Sequence, residues 1–225
     1  MEIERFSIET EVFRIPAILI RPAHSRGAAV ILHGFGGNKE EQLGLGWQVA
    51  QAGPVVCVID YRGHGEHPLP LDTRAGEDLE AAIGFCRQFG NVTAIGHSLG
   101  GRLVLLSSAD YRIAISPSLS QTYGEQTQGM LKTLRSYRVR PSDIAVLLAV
   151  QETLPVWEPA RDTGKTLLLF AERDAPEIVA GCTALETAGV RTVRIPGALH
   201  HDIFLTEQTF AAIRSQIKEW YGAGT

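Results

Sequence analysis

Six short apolar runs, each ending in glycine or a polar cluster, punctuate the chain from residue 28 onward. They are AAVILHGFGG at 28–37, PVVCVIDYRGHG at 54–65, NVTAIGHSLGG at 91–101, YRIAISPS at 111–118, KTLLLFAERD at 165–174 and VRTVRIPG at 190–197. Continuous apolarity over about five residues rich in Val, Ile and Leu is what a strand buried on both faces requires, so these runs predict a parallel sheet. The stretches between them have helical spacing. Leu43, Trp47 and Ala50 mark one helix, Leu79, Ile83 and Cys86 a second, and Phe210, Ile213, Ile217 and Trp220 the last. Alternating strand and helix predicts a doubly wound α/β sheet.

Two segments depart from that rhythm. The first 21 residues, with IERFSIE and EVFRIPAILIRP, alternate apolar and polar positions and predict an N-terminal antiparallel hairpin, half exposed at the sheet edge. Residues 118–164 contain no buried parallel strand; two or three helices are expected there, forming a short helical cap over one end of the sheet. The chain, 1–225, is read as a single domain carrying that insertion.

Composition narrows the partners. The chain has 225 residues, 44% hydrophobic and 20% charged, with a formal charge of −4 and scattered lysines and arginines, which argues against nucleic acid as a partner. The opening MEIERFSIET is unlike a signal peptide, and the longest apolar run, IAVLLAV at 144–150, is too short to span a bilayer. A soluble cytoplasmic protein, monomeric or a small homo-oligomer, without a membrane partner, is expected. Cys57, Cys86 and Cys182 have no paired or metal-like spacing and read as buried thiols.

Open parallel sheets bind ligands beyond the carboxyl ends of their strands, and here the titratable chemistry gathers at those exits. His33 to Gly37 follow the first parallel run, Asp60 to Gly65 the second and Gly96 to Gly101 the third; Asp174 ends the fifth, and His200, His201 and Asp202 follow the last. Five of the seven histidines lie there, and His67 follows the second exit two residues on. Gly-x-Ser-x-Gly is weak as a bare motif. Between a strand and a helix it gains meaning, because a tight turn exposes the serine while Gly96 and Gly100 allow close backbone approach. A serine hydroxyl needs a base, and a histidine base needs a carboxylate to fix its tautomer. The order Ser98, Asp174, His200 supplies both.

With HGFGGNKEE, DYRGHG and GHSLGG in place, the sequence resembles the α/β-hydrolase superfamily of serine hydrolases, over residues from about 10 to 221, most of all its small esterase, acylaminoacyl-peptidase-like and cinnamoyl-esterase branches. The resemblance implies an α/β-hydrolase fold. It also implies Ser98 as nucleophile, Asp174 as acid, His200 as general base, and the backbone N–H groups of Phe35 and Leu99 as an oxyanion hole. The implied activity is hydrolysis of a small carboxylic ester through an acyl-enzyme, with no metal and no cofactor. Three features depart from the family pattern. Ala171 stands where glycine is common, His200 is doubled by His201, and the insertion matches no known cap.

Other readings stand beside these. Glu172 is the rival carboxylate, and Asp174 also suits a helix N-cap before Pro176. His97 is expected to pack or hydrogen-bond away from Ser98, and His33 to orient the oxyanion loop. His64 and His67 form an H-x-x-H pair that a metal site with His200, His201 and Asp202 would need, but Asp60, Arg62, Gly63 and Gly65 read as a pinned turn. Arg102 reads as a surface or loop-pinning residue. Phe35, with Tyr123, Met130, Leu131, Leu134 and Trp157 of the insertion, are candidates to line a substrate pocket or to bury the insertion's helices. A peptidase, thioesterase, C–C hydrolase or acyltransferase would use the same triad; a binding module would not need it.

Overall fold

The computed structural model describes residues 1–159 and 163–222; residues 160–162 of the insertion lie outside the described residues, as does the Leu134 side chain. Eight strands form one sheet: β1 (Glu2–Glu9), β2 (Arg14–Arg21), β3 (Ala28–Leu32), β4 (Val55–Ile59), β5 (Val92–His97), β6 (Tyr111–Ile115), β7 (Thr166–Arg173) and β8 (Thr192–Leu199). Their order across the sheet is β1-β2-β4-β3-β5-β6-β7-β8. β1 pairs antiparallel with β2, and β2 antiparallel with β4; all later pairings are parallel. Every predicted parallel run forms its strand.

The hairpin differs from expectation in one strand. β1 is the exposed edge, but Ile15 to Ile20 of β2 are buried: β4 pairs along the inner edge of β2, Ile15, Ala17 and Leu19 pack in one layer with Leu79, and Ile20 packs in the other with Leu45 and Val49. The sequence of β2 already carries this: AILI is continuous, not alternating.

Successive residues of each interior strand feed opposite layers, as the two-residue period of a strand demands. Ala28, Val30 and Leu32 of β3 join Cys57, Ala94, Leu79 and Leu103 on one face, while Ala29 and Ile31 join Val56, Ile95, Val49 and Ile213 on the other. The first layer is covered by α2 (Ala75–Cys86) and α3 (Leu99–Leu105), the second by α1 (Leu43–Gln51) and α7 (Glu207–Gly222). On α1 the buried stripe is Leu45, Gly46, Val49 and Ala50, and Trp47 is 39% exposed, so the expected stripe is rotated. Gly46 explains the rotation. A β-carbon there would lie 3.1 Å from Ile20 Cδ1, so the helix approaches the sheet through its smallest residue.

The interval between β6 and β7 holds α4 (Glu125–Leu134), a short 3₁₀ turn (Ser136–Arg138) and α5 (Ile144–Thr153). The apolar IAVLLAV is α5, started by Asp143, whose carboxylate accepts from Ala145 N at 2.9 Å, and seated by Leu147 and Val150 in the first layer. α6 (Pro176–Thr187) follows β7 and buries Ile178 and Cys182 against Phe170. No helix among the described residues is long and apolar enough to cross a membrane.

Candidate active site

The carboxyl ends of β3, β4, β5, β6, β7 and β8 each deliver a polar residue to one edge of the sheet, and the β5 exit is the tightest. Ser98 has φ 54 and ψ −116, a positive φ that only one other non-glycine residue, Ser116, shares among the described residues. The turn leaves no room for side chains beside it: a β-carbon on Gly96 would sit 2.3 Å from Gly100 O, and one on Gly100 would sit 2.4 Å from His33 O. Ser98 N donates to Ile115 O at 2.9 Å, and Ser98 O accepts from Arg102 N and Ser118 N, both at 3.1 Å. Main-chain bonds on both sides of the residue thus hold its conformation.

His200 lies between Ser98 and Asp174. Its Nε2 is 3.1 Å from Ser98 Oγ and its Nδ1 2.7 Å from Asp174 Oδ1. The carboxylate is fully buried and accepts further bonds, from Ser116 Oγ at 2.5 Å and Ala175 N at 2.9 Å. Burial alone would raise its pKa, but the bonds from His200, Ser116 and Ala175 outweigh it and hold the carboxyl below its usual range. An ionised Asp174 keeps the proton on Nδ1, leaving Nε2 with a lone pair toward the serine. The pairing of β7 with β8 shifts register between Ala171 and Arg173, just before Asp174. Ala171 itself is strand, so glycine is not needed there.

The rival residues are elsewhere. Glu172 is exposed and accepts from Gly197 N, and His201 is exposed while His200 turns inward. His97 is buried behind the site, donating Nε2–H to the His200 carbonyl at 2.8 Å and packing its ring on His200 and Phe204. Burial lowers its pKa to about 3, so it is neutral. Ser116 is a site residue that sequence reading missed. Its only signal was its place, the first polar residue after the β6 apolar run.

Gly34 brings the β3 exit against the serine: a β-carbon there would lie 2.9 Å from His97 Nδ1 and 3.1 Å from Ser98 Cβ. The Gly34 carbonyl accepts from His33 Nδ1 at 2.8 Å and from Gly37 N at 3.0 Å. Because a trans peptide is planar, its N–H points opposite its C=O. Holding the Gly34 carbonyl therefore aims the Phe35 N–H, and holding the Ser98 carbonyl likewise aims the Leu99 N–H, which stands at the start of α3 where helix amides are unpaired. His33 is buried, stacked 4.5 Å from Tyr61, and its pKa is lowered to about 4 by burial.

The β4 exit is the pinned turn expected of it. Arg62 is buried and donates to both oxygens of Asp78, through Nε at 3.0 Å and Nη2 at 2.8 Å, and to Asp72 at 2.9 Å. Asp60 accepts from Lys39 N and Nζ at 2.8 and 2.7 Å and from Glu66 N at 2.9 Å. Gly63 and Gly65 have positive φ, and a β-carbon on Gly65 would lie 2.2 Å from Asp60 Oδ2. Lys39 and Asp78 were invisible in the sequence, since a buried ion pair leaves no periodic mark. His64 and His67 are buried inside this turn, and no group of three or more His, Cys, Asp or Glu side chains among the described residues is gathered as a metal would require.

Among the candidate pocket residues, Phe35 is buried with its ring edge toward His64 at 5.9 Å. Tyr123 and Leu131 are half-buried against the first layer, and Tyr123 Oη accepts from Gln151 Nε2 at 2.6 Å. Met130 is 45% exposed on α4. Trp157 packs with Leu105, Leu168 and Val190, at the end of α3 away from Ser98, and belongs to the helix-to-sheet packing. Arg102 is a pin and no surface residue. It is 1% exposed and donates to the carbonyls of Ser118, Leu119, Ser120, Leu154 and Pro155 and to Gln151 Oε1.

An eight-stranded, mostly parallel sheet with a strained serine at one strand exit defines a class of fold, and comparison with known proteins agrees with it. The profile of the alpha/beta hydrolase family matches residues 29–217, and the chain belongs to that family. No curated protein matches it. Among solved structures it is similar to a hyperthermophilic esterase from the archaeon Pyrobaculum calidifontis, at 22% identity and TM-score 0.65 over 97% of this chain and 86% of that one. It is also similar to Est1E from Butyrivibrio proteoclasticus with ferulic acid bound, at 18% identity and TM-score 0.70 over 96% and 97% of the two chains. A predicted CIB-like hydrolase from Thermoplasma acidophilum is 16% identical, with TM-score 0.66 and 99% of both chains covered. At these identities the likeness is one of fold.

Proposed function

We propose that this protein is a serine hydrolase that cleaves carboxylic esters of small molecules through Ser98, His200 and Asp174. The observation that carries the reading is the unbroken hydrogen-bonded chain from Ser98 Oγ through His200 to a buried, ionised Asp174, at 3.1 and 2.7 Å. Ser98 Oγ attacks the ester carbonyl as its proton passes to His200 Nε2, and Asp174 stabilises the imidazolium. The Phe35 and Leu99 amides receive the oxyanion, each such donor being worth about 10²- to 10³-fold in rate. His200 then returns the proton to the departing alkoxide, leaving an acyl-Ser98 that water, deprotonated by the same imidazole, hydrolyses. Esters are favoured over amides because an alkoxide leaves more readily than an amine.

The experiment is intact-mass labelling with a fluorophosphonate, run beside Ser98→Ala. One adduct per chain, absent from the variant, is the expected result. A folded wild-type protein that takes up no adduct, or takes it up equally in the variant, would overturn the assignment.

A further inference from the structure

Arg135 follows α4 at the start of the 3₁₀ turn, and its main chain lies directly on the oxyanion loop. A β-carbon on Gly36 would be 2.8 Å from Arg135 O and 2.9 Å from Arg135 Cβ, so the two segments touch there only because residue 36 is glycine, at φ 72. Arg135 is fixed in place by its own backbone, its N donating to Leu131 O and its O accepting from Arg138 N, both at 3.0 Å.

The other arginines of this corner are committed. Arg138 pairs with Glu41 at 2.5 Å, Arg140 donates to the Gly65 and His67 carbonyls, and Arg102 holds the insertion. Arg135, a half-buried residue, has no side-chain hydrogen-bond or ion-pair partner among the described residues. The carboxylates at this edge are taken as well: Asp174 by His200, Glu172 by Gly197 N, Glu177 by Gly124 N and Thr127, and Asp202 by Leu199 N. A cation beside the oxyanion loop, with no protein anion to meet it, is a place for an anion on the substrate.

We propose that Arg135 is a specificity-determining residue that selects esters carrying a carboxylate a few bonds from the scissile carbonyl. This rests on the serine-hydrolase reading and gives it a substrate class. The carboxylate belongs either to the acyl part or to the alcohol part, and two substrate pairs separate these: phenyl hemiglutarate against phenyl pentanoate, and 3-carboxyphenyl acetate against phenyl acetate.

The readout is the ratio of kcat/KM for the anionic over the neutral member of each pair. Arg135→Met is expected to lower that ratio about 10- to 100-fold in one pair, chiefly through KM, with Arg135→Lys recovering part of it. Added salt is expected to lower the wild-type ratio, since a half-exposed ion pair is screened. A merely structural role would move both members together, and a ratio unchanged in both pairs would overturn the proposal. Should the wild-type protein turn over none of the four esters, fluorophosphonate labelling of Ser98 decides the hydrolase reading separately. Binding of the two anionic esters to Ser98→Ala and to Ser98→Ala/Arg135→Met, by calorimetry, then decides: weaker binding to the double variant supports the role of Arg135, and equal binding overturns it.

Discussion

A non-glycine residue held at positive φ costs about 1–3 kcal/mol, and such strain persists only where its surroundings over-determine it. Around Ser98 they do, through three main-chain hydrogen bonds and two glycines that could not carry a side chain. The same device recurs across the site. The Gly34 carbonyl is held twice as well, so both amides proposed to meet the oxyanion are oriented by what grips the other side of their peptide. At this scale the doubled histidine gives a clear prediction. His200→Ala is expected to reduce kcat/KM for a phenyl ester by about 10³-fold or more, and His201→Ala by no more than a few-fold. Steady-state rates of the two variants check it, and a dead His201→Ala beside an active His200→Ala would reverse the assignment. Ser98, Asp174 and His200 could be read from the chain because each sits at a strand exit in a recognisable order. Ser116 could not, because a serine after a strand is common and nothing local ties it to a carboxylate 58 positions on.

Among the elements, the insertion shows where reading by pattern stops. Its helices could be expected from length, and Arg102 could be read as a surface or a loop-pinning residue, but pattern alone could not say which of the two. Arg102 looks like a charged residue on the first turn of a helix, and only the folded chain shows it surrounded by carbonyls. The buried face of α1 was misplaced for a similar reason, since Gly46 contributes nothing to an apolar stripe yet sets the side that approaches the sheet. Arg102→Met keeps much of the volume and leaves several buried carbonyls without a donor, each costing about 1–3 kcal/mol before relaxation. We expect a loss of about 3 kcal/mol in chemical denaturation and faster amide exchange across α4 and α5, with α1 and α7 unchanged. Exchange that rises uniformly over the molecule would mean that Arg102 does not act locally.

For the molecule as a whole, the buried imidazoles govern its response to acid. His33 and His97 have folded pKa values of about 4 and 3, both lowered by burial, against about 6.5 in an unfolded chain. Above pH 6.5 neither state binds these protons. As the pH falls below that, the unfolded chain binds them first, so stability is progressively lost down through the folded values. Asp174 adds a further loss only at lower pH, below the unfolded carboxyl range near 3.9 and through its own depressed value. Denaturation midpoints should therefore fall between pH 7 and pH 5, where carboxylates remain ionised, and His97→Gln should shrink the fall. A midpoint constant over that range would contradict the buried neutral state.

The grip of Arg102 on residues 118–120 and on 154–155 also brings the two ends of a long excursion to a single point. A segment anchored this way need not bridge any fixed distance. It only has to leave and come back, and the entropy of closing such a loop grows with about (3/2)RT ln n, so that doubling its length costs only about 0.6 kcal/mol. The length of the stretch between these ends is therefore set less by chain closure than by its own packing, through Leu147 and Val150 on the first layer and Arg135 on the Gly36 loop.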